Sequence, residues 1–290
     1  MAITDEQQAQ IVNVASVPQR SPFRYPGGKT WLIPRIRQWF VHLQTKPAEF
    51  IEPFAGGASV GLAVAFERLA DHVTLVERDE EVAAVWQVIL DGDGAWLAQE
   101  ILSFNLTLAS VKTLLSRTDF TLRERALRTI VKNRVNRGGI LAPGAGLLKE
   151  GENGRGIRSR WYPKTLSKRI LDIAAMRERI TFIPGDGLAI LKQYAQRDGA
   201  VFFIDPPYTA GSKNAGSRLY AHANLDHEEL FRLTSMLRGD FLMTYDDDEE
   251  VRSLARRYGF DTQAIAMKNA HHAKMNELLI SRSLGWLRLA

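Results

Sequence analysis

The chain has 290 residues, 45% of them hydrophobic and 24% charged, so it can form one large domain with a sizeable core and disorder is not expected. It contains no cysteine, which excludes disulfides, thiolate metal sites and cysteine nucleophiles. The net charge of +5 hints at a polyanionic partner, and no apolar run reaches the length of a membrane span.

The N-terminal 20 residues are rich in glutamine and other polar residues, and they predict a flexible tail without the features of a signal peptide. The first motif follows directly, as FRYPGGK at residues 23–29. Gly27 and Gly28 permit a close approach of the backbone, and Lys29 at the start of a helix suits a ligand carboxylate. The glycine spacing of a phosphate-binding P-loop is absent.

The second motif is a short strand that runs through a glycine turn into a helix, with the sequence FIEPFAGGAS at residues 50–59. Glycines at such a turn let the backbone approach a ligand, and the helix N-terminus faces it. Glu77 ends the next predicted strand, about 20 residues after Gly56, where a carboxylate binds ribose hydroxyls in nucleotide-binding folds. Because the spacing G-x-G-x-x-G is absent, a nucleoside ligand without a pyrophosphate is favoured over a dinucleotide.

Short apolar runs alternate with segments of helical periodicity and predict a doubly wound α/β sheet with one ligand-binding edge. The predicted strands are residues 49–52, 72–76, 180–183, 200–204 and 241–244, followed by a closing antiparallel pair at 263–267 and 277–281. The predicted helices are residues 31–40, 59–69, 80–90, 188–194 and 227–237.

One segment breaks this alternation, and we interpret residues 89–179 as a mainly helical insertion between the second and third strands. Between Lys132 and Arg169 there are ten lysines and arginines but two acidic residues, which favours contact with nucleic acid phosphates. The candidate DNA-binding residues are Asn133, Arg134, Asn136, Arg137, Arg155, Arg158 and Arg160. Trp161 is a further candidate for a DNA-facing aromatic side chain.

The strongest motif is Asp205-Pro206-Pro207-Tyr208, directly after the apolar strand at residues 201–204. The exocyclic amine of adenine is a poor nucleophile, because its lone pair is delocalised into the ring. Asp205 and the carbonyl of Pro206 can each accept one amine hydrogen and so free that lone pair. Tyr208 can stack on an extruded base. The motif therefore predicts catalytic roles for Asp205, Pro206 and Tyr208.

The acidic run at residues 246–250 is interpreted as the opening of a helix, where the helix dipole favours negative charge. The neighbouring histidines His271 and His272 are not interpreted as metal ligands. We therefore expect no metal site.

The three motifs, in this order around a central insertion, resemble the Dam-type, α-class DNA adenine-N6 methyltransferases. The resemblance extends over residues 21–283. It includes Lys-Asn-Arg at 132–134, Ser-Arg-Trp at 159–161 and the late Asn-Glu-Leu-Leu-Ile at 276–280. It implies a Rossmann-like, seven-stranded methyltransferase sheet, with the insertion as the target-recognition region. The recognition segment departs from close Dam relatives, so no target sequence is implied.

By this resemblance, S-adenosylmethionine is the cofactor and double-stranded DNA the partner. The candidate cofactor-binding residues are Tyr25, Gly28, Lys29, Pro53, Phe54, Gly56, Glu77, Asp186 and Asp205. The implied division of the chain is a tail at 1–20, a catalytic domain at 21–88 and 180–290, and the insertion at 89–179. We expect direct methyl transfer to the amine of a flipped adenine by a monomeric protein of the bacterial or phage-infected cytoplasm, associated with the nucleoid through DNA.

Three alternatives stay open. The acceptor amine could be that of cytosine N4 or of an RNA adenine, since the chemistry of Asp205 serves either. A relative that binds DNA without catalysis would keep the fold, although the joint presence of Lys29, Glu77, Asp205 and Tyr208 argues against it. Whether a restriction endonuclease accompanies the protein is also left open.

Overall fold

The computed structural model describes residues 17–24, 27–150, 154–207, 225–268 and 274–288. Their core is one seven-stranded sheet in the order β3-β2-β1-β4-β5-β7-β6. Strands β1 to β5 pair in parallel, whereas β7 is antiparallel to both of its neighbours. The strands are β1 (Glu49–Glu52), β2 (His72–Glu77), β3 (Ile180–Pro184), β4 (Ala200–Ile204), β5 (Phe241–Asp246), β6 (Asp261–Lys268) and β7 (Lys274–Ser281).

Helices cover both faces of the sheet, and the period-two alternation of the strands divides the core between them. Phe50 and Phe203 belong to one apolar cluster, whereas their neighbours Ile51 and Phe202 belong to the other. The helices outside the insertion are α1 (Ile33–His42), α2 (Ser59–Glu67), α3 (Glu80–Val88), α8 (Gly187–Tyr194), α9 (His227–Ser235), α10 (Glu249–Arg257) and α11 (Gly285–Arg288).

Between β2 and β3, the chain forms a helical layer beyond α3. Its helices are α4 (Gly94–Ser103), α5 (Leu108–Ser116), α6 (Leu122–Val135) and α7 (Pro163–Ala174). Thr121 caps the start of α6 in a reciprocal capping box with Glu124, which satisfies N–H groups that the helix itself leaves unpaired. Lys132 of α6 contacts Glu81 of α3 at 2.5 Å, so an ion pair ties this layer to the central domain.

The predicted doubly wound, Rossmann-like sheet of seven strands is confirmed, including its closing antiparallel pair. The second predicted helix ends two residues early, at Glu67, because Arg68 adopts the left-handed conformation with φ 55° and stops the helix. The division into tail, catalytic domain and insertion stays a prediction. Among the described residues, no helix has the length and apolar character needed to cross a membrane.

Candidate active site at the sheet edge

The carboxyl ends of the parallel strands β1 to β4 open onto one cavity, as expected where parallel strands end at a common edge. Each predicted cofactor-binding or catalytic residue that the structure describes lines this cavity. These residues are Gly28, Lys29, Pro53, Phe54, Gly56, Glu77, Asp186, Asp205 and Pro206. Tyr25 and Tyr208 lie outside the described residues. The structure thus brings together positions that are up to about 180 residues apart in the sequence.

The turn between β1 and α2 carries the backbone along the cavity wall. Gly56 has a φ of 48°, a conformation that glycine adopts without strain. The indole N–H of Trp86 donates to the carbonyl oxygen of Gly56 at 2.9 Å and fixes the turn from the core side. Ser59 then begins α2 at the cavity, so the positive end of the helix dipole points towards it.

Glu77 ends β2 with its carboxylate held by two backbone groups. The N–H of Gly56 donates to Oε2 and the N–H of Asp79 donates to Oε1, each at 2.8 Å. Burial raises the pKa of Glu77 to about 7 because the charged form loses its hydration, although these hydrogen bonds act in the opposite direction. Each carboxylate oxygen keeps further acceptor capacity. Glu77 can therefore accept hydrogen bonds from a vicinal diol in the cavity.

Asp186 follows β3 and caps the next helix, α8. Its Oδ1 accepts hydrogen bonds from the N–H groups of Leu188 and Ala189, and its Oδ2 contacts Arg78 at 3.2 Å. Asp186 is therefore a structural cap as well as part of the cavity wall. The adjacent Gly187 has no room for a side chain, since an added Cβ would lie 2.5 Å from the carbonyl oxygen of Pro53.

Asp205 directly follows β4, and its carboxylate contacts two neighbouring side chains. Its Oδ1 accepts a hydrogen bond from the hydroxyl of Thr244 at 2.7 Å and contacts Nζ of Lys29 at 2.9 Å. Its side chain is 21% exposed, whereas that of Lys29 is 4% exposed. The sequence predicted a ligand carboxylate as the partner of Lys29, but in the structure its partners include two carboxylates of the chain itself, Asp205 and Glu277.

Two buried acidic residues at this site were missed from the sequence. Glu52 lines the cavity at the end of β1 and accepts a hydrogen bond from the N–H of Gly61 at 2.8 Å. Burial raises the pKa of Glu52 well above its ordinary value. An acid that ends a buried strand was a usable signal for Glu52. The sequence signal for Glu277 was weaker, because it is a single charged residue before the apolar run Leu278–Ile280.

The insertion contributes the opposite wall of the cavity through Gly139, Leu141 and Ala142. Asn133 supports this wall from beneath. Its side chain is fully buried, accepts from the N–H of Arg24, and donates to the carbonyl oxygens of Arg24 and Gly139. The amide of Asn133 thus holds the segment before Gly27 against the insertion, and the contact of Asn133 with DNA stays a prediction.

Arg134 and Asn136, two further predicted DNA contacts, are also buried in this structure. Arg134 is 5% exposed and donates to the carbonyl oxygen of Pro22, and burial lowers its pKa to about 9. Asn136 is 3% exposed and donates to the carbonyl oxygen of Ile140 at 2.8 Å. Both side chains point into the protein, because the end of α6 packs beneath the loop that follows it.

The remaining predicted DNA-binding residues lie at the surface. Arg137, Arg155 and Arg158 are exposed and Arg160 is half-buried. Trp161 is half-buried and packs edge-on against Phe104, with ring centroids 5.9 Å apart. Its packing is that of a core residue, which does not match the interpretation of Trp161 as a DNA-facing ring.

Within the described ranges, no three acidic or histidine side chains form a group that could hold a metal ion. The acidic run opens a helix, with Asp248 as the cap of α10. His271 and His272 lie outside the described residues.

Three solved structures with a partly similar chain path are a methyltransferase and two presumed methyltransferases. A presumed methyltransferase, yhhF of Escherichia coli, has 12% identity and a TM-score of 0.37, over 87% of this chain and 86% of that one. A presumed RNA methyltransferase of Pyrococcus horikoshii has 11% identity and a TM-score of 0.38, over 89% and 84%. Precorrin-6y C5,15-methyltransferase of Geobacter metallireducens has 10% identity and a TM-score of 0.36, over 96% and 94%. These likenesses are weak, and the fold assignment depends on the strand order above.

The family comparison concerns the first half of the chain. No curated protein sequence matches the chain. Residues 25–133, however, match the family model of the D12 class N6 adenine-specific DNA methyltransferases. This stretch contains residues 25–29 of the first motif, the whole second motif, Glu77 and most of α6. The resemblance seen in the sequence is thereby confirmed over residues 25–133, where the chain is similar to the D12 class N6 adenine-specific DNA methyltransferases.

Proposed function

We propose that the protein transfers a methyl group from S-adenosylmethionine to the N6 amine of adenine in double-stranded DNA. The observation that carries the proposal is the position of Asp205 at the cavity, with one oxygen held by Thr244 and Lys29. A carboxylate fixed in this way presents its second oxygen, Oδ2, as an acceptor for an amine hydrogen.

The residues around the cavity fit S-adenosylmethionine. The carboxylate of Glu77 suits a ribose diol, and Phe54 and Val82 add apolar surface for a purine ring. The N-terminus of α2 and the buried carboxyl of Glu52 suit the charged amino-acid end. When bound, this cofactor supplies a methyl group activated by a positively charged sulfur.

In this proposal, the residues of the chain position the amine and stabilise the charge that develops during methyl transfer. Asp205 Oδ2 and the carbonyl oxygen of Pro206 would accept the two amine hydrogens and free the nitrogen lone pair for attack on the methyl carbon. A positive charge then develops on the nitrogen, and the charge of Asp205 stabilises it. An adenine within a duplex cannot reach a residue at the bottom of a cavity, so the base would leave the stack and enter it.

The insertion is the proposed DNA-binding region. Its loop forms part of the cavity wall at Gly139, and the exposed Arg137 lies two residues before that wall. Arg155 and Arg158 extend the basic surface. Contacts of these side chains with phosphates would hold the duplex over the cavity. A DNA substrate also fits the expectation that the protein is cytoplasmic.

The first test is methyl incorporation from labelled S-adenosylmethionine into unmethylated genomic DNA, followed by base analysis of the product. We expect N6-methyladenine, and we expect the Asp205→Ala variant to produce none while it still binds the cofactor in calorimetry. The matched control is Asp198→Ala, since Asp198 is exposed on the surface, where its side chain pairs with Arg238. This control should leave incorporation unchanged.

Each other result selects one of the alternatives. N4-methylcytosine as the product would keep the reaction type and overturn the acceptor. Methylation of RNA but not of DNA would overturn the substrate. DNA binding without any cofactor binding would overturn the proposal and leave a non-catalytic relative.

A further inference from the structure

Lys29 is a buried lysine whose ammonium group has a partner for each of its three protons. Nζ lies 2.9 Å from Oδ1 of Asp205, 2.9 Å from Oε1 of Glu277 and 2.9 Å from the carbonyl oxygen of Gly27. The whole residue is 3% exposed, as is Glu277. Burial is the largest single effect on the pKa of Lys29 and lowers it, but the two carboxylates together outweigh it and raise the pKa, so the ammonium keeps its charge.

The charge balance of this cluster depends on Glu277. Lys29 and Asp205 alone would form a neutral pair, and the buried ammonium would offset the negative charge of Asp205 towards the cavity. Glu277 supplies a second negative charge on the far side of Lys29, so the three groups together carry one negative charge. Solvent screens such buried charges weakly, and the net charge of the cluster therefore sets the electrostatic potential at Oδ2.

Other charged or titratable groups face this cluster from neighbouring elements. Glu52 of β1 interacts with both Lys29 and Asp205, and burial favours its neutral form. Asp246 of β5 lies opposite Glu277 in the sheet register, is half-buried, and interacts with the same two residues. Tyr245 has its pKa raised by burial and by Asp205, so its hydroxyl stays neutral.

We propose that Glu277 is a positioning residue of the methyl transfer reaction. It anchors Lys29 and cancels its charge, so that Lys29 can fix Asp205 without neutralising it. This inference rests on the proposed function, because it concerns the positive charge that develops on the amine nitrogen as the nitrogen–carbon bond forms. The electron pair of the breaking carbon–sulfur bond goes to sulfur, and the amine proton leaves to solvent after transfer. A net negative cluster stabilises the nitrogen during this step, whereas a neutral cluster does not.

The test compares single-turnover methyl transfer in the wild type and in the variants Glu277→Gln, Glu277→Asp and Lys29→Met/Glu277→Gln. We expect Glu277→Gln to slow the chemical step by about tenfold or more, with KM for the cofactor and for DNA little changed. Glu277→Asp keeps the charge and should restore part of the rate. The double variant removes one charge of each sign, so it should be faster than Glu277→Gln.

A role of Glu277 in folding alone predicts a different pattern. In that case the double variant, which loses two buried charges and the hydrogen bonds of Lys29, would be slower and less stable than Glu277→Gln, and this result would overturn the proposal. An unchanged rate in Glu277→Gln would overturn it as well. Glu178→Gln is the matched control, because Glu178 is exposed on a short turn of helix before β3.

A readout without cofactor separates this inference from the proposed function. In the ligand-free protein, nitrogen NMR of the Lys29 ammonium should show a lower pKa in Glu277→Gln than in the wild type, because one of its two carboxylate partners is gone. An unchanged Lys29 resonance would overturn the charge coupling. If the wild type transfers no methyl group to any nucleic acid, the proposed function fails, and this titration still decides the coupling.

Discussion

The cavity at the sheet edge and the insertion above it use polar side chains in opposite ways. At the sheet edge, the carboxylates of Glu77 and Asp205 line the cavity and accept hydrogen bonds from the protein. In the insertion, the buried Asn133 and Arg134 direct their polar atoms inward, onto the carbonyl oxygens of the segment before Gly27. The surface of the insertion is left to its exposed arginines.

This difference divides the polar side chains near the site into three groups. Under the proposed function, the strand-end carboxylates serve chemistry, the buried amide and guanidinium of α6 serve assembly of the cavity wall, and the exposed arginines serve DNA association. Substitutions in the three groups should therefore change three different measurements, namely reaction rate, stability and DNA affinity.

The largest effect is expected from Asp205→Asn, which keeps the shape of the side chain and removes its charge. We expect kcat to fall by about a hundredfold to a thousandfold, because the developing charge on the amine loses its stabilising partner. The melting temperature should change little, since Thr244 can still donate to the amide oxygen. A loss of stability comparable to that of a core variant would mean that Asp205 serves assembly instead.

Asn133→Ala should have the opposite effect to Asp205→Asn, with a large loss of stability and little change in reaction rate. Three hydrogen bonds of a fully buried amide are lost, which leaves the backbone groups of Arg24 and Gly139 without these partners. We expect the free energy of unfolding in urea to fall by about 3 kcal/mol, with the rate of the folded enzyme little affected. Asn105→Ala, at an exposed position, is the control and should change stability by less than about 0.5 kcal/mol.

The cofactor affinity should depend on pH through Glu77. Its pKa is about 7, so the fraction in the charged form, which accepts from both diol hydroxyls, falls as the pH drops. Binding of S-adenosylmethionine should be about tenfold weaker at about pH 6 than at about pH 8, as measured by calorimetry. Glu77→Gln should bind weakly at both values, and a pH dependence that survives in this variant would assign the titration to another group.

The same carboxyl has an effect of opposite sign on stability. Because the folded protein binds this proton more tightly than the unfolded chain does, the contribution of Glu77 to the free energy of unfolding decreases as the pH rises from its ordinary pKa of 4.5 to about 7. Cofactor binding and stability should therefore respond to pH in opposite directions over this range.

The smallest effects are expected from single exposed arginines of the insertion. Arg137→Ala or Arg155→Ala should weaken DNA binding by about 0.5 to 1 kcal/mol each and reduce the slope of log affinity against log salt by about one. Fluorescence anisotropy at several salt concentrations measures both quantities. Arg256→Ala, on α10 at the other face of the sheet, should leave them unchanged. Equal losses in all three variants would remove the insertion from the DNA interface.

The fold and the sheet-edge residues could be predicted because they depend on local patterns. Alternating apolar runs fix the strands, and a polar residue directly after a strand, such as Asp205, must emerge at the ligand edge of a parallel sheet. The spacing between Gly56 and Glu77 follows from the length of one strand–helix–strand unit. None of these inferences needs knowledge of contacts between distant residues.

The roles of the buried polar residues of α6 and of Glu277 depend on contacts between residues far apart in the sequence. Asn133 and Arg134 lie on a basic helix, and no local pattern tells which of its polar residues faces the segment at Pro22 and Arg24. Glu277 belongs to a strand that pairs with β5 only after the chain has folded back. The meeting of Lys29 with Glu277 is a product of tertiary structure, and a single sequence carries little signal for it.

The position of β7 between β5 and β6 has a consequence for the biosynthesis of the protein. Lys29 lies in the first tenth of the chain, and its second counter-charge lies in the last. A nascent chain can form the first parallel strands, but the ammonium group cannot gain its full set of partners until β7 has left the ribosome and inserted beside β5. Incomplete chains therefore lack the full set of partners of Lys29, and a product truncated before residue 274 should carry the motifs without the proposed activity.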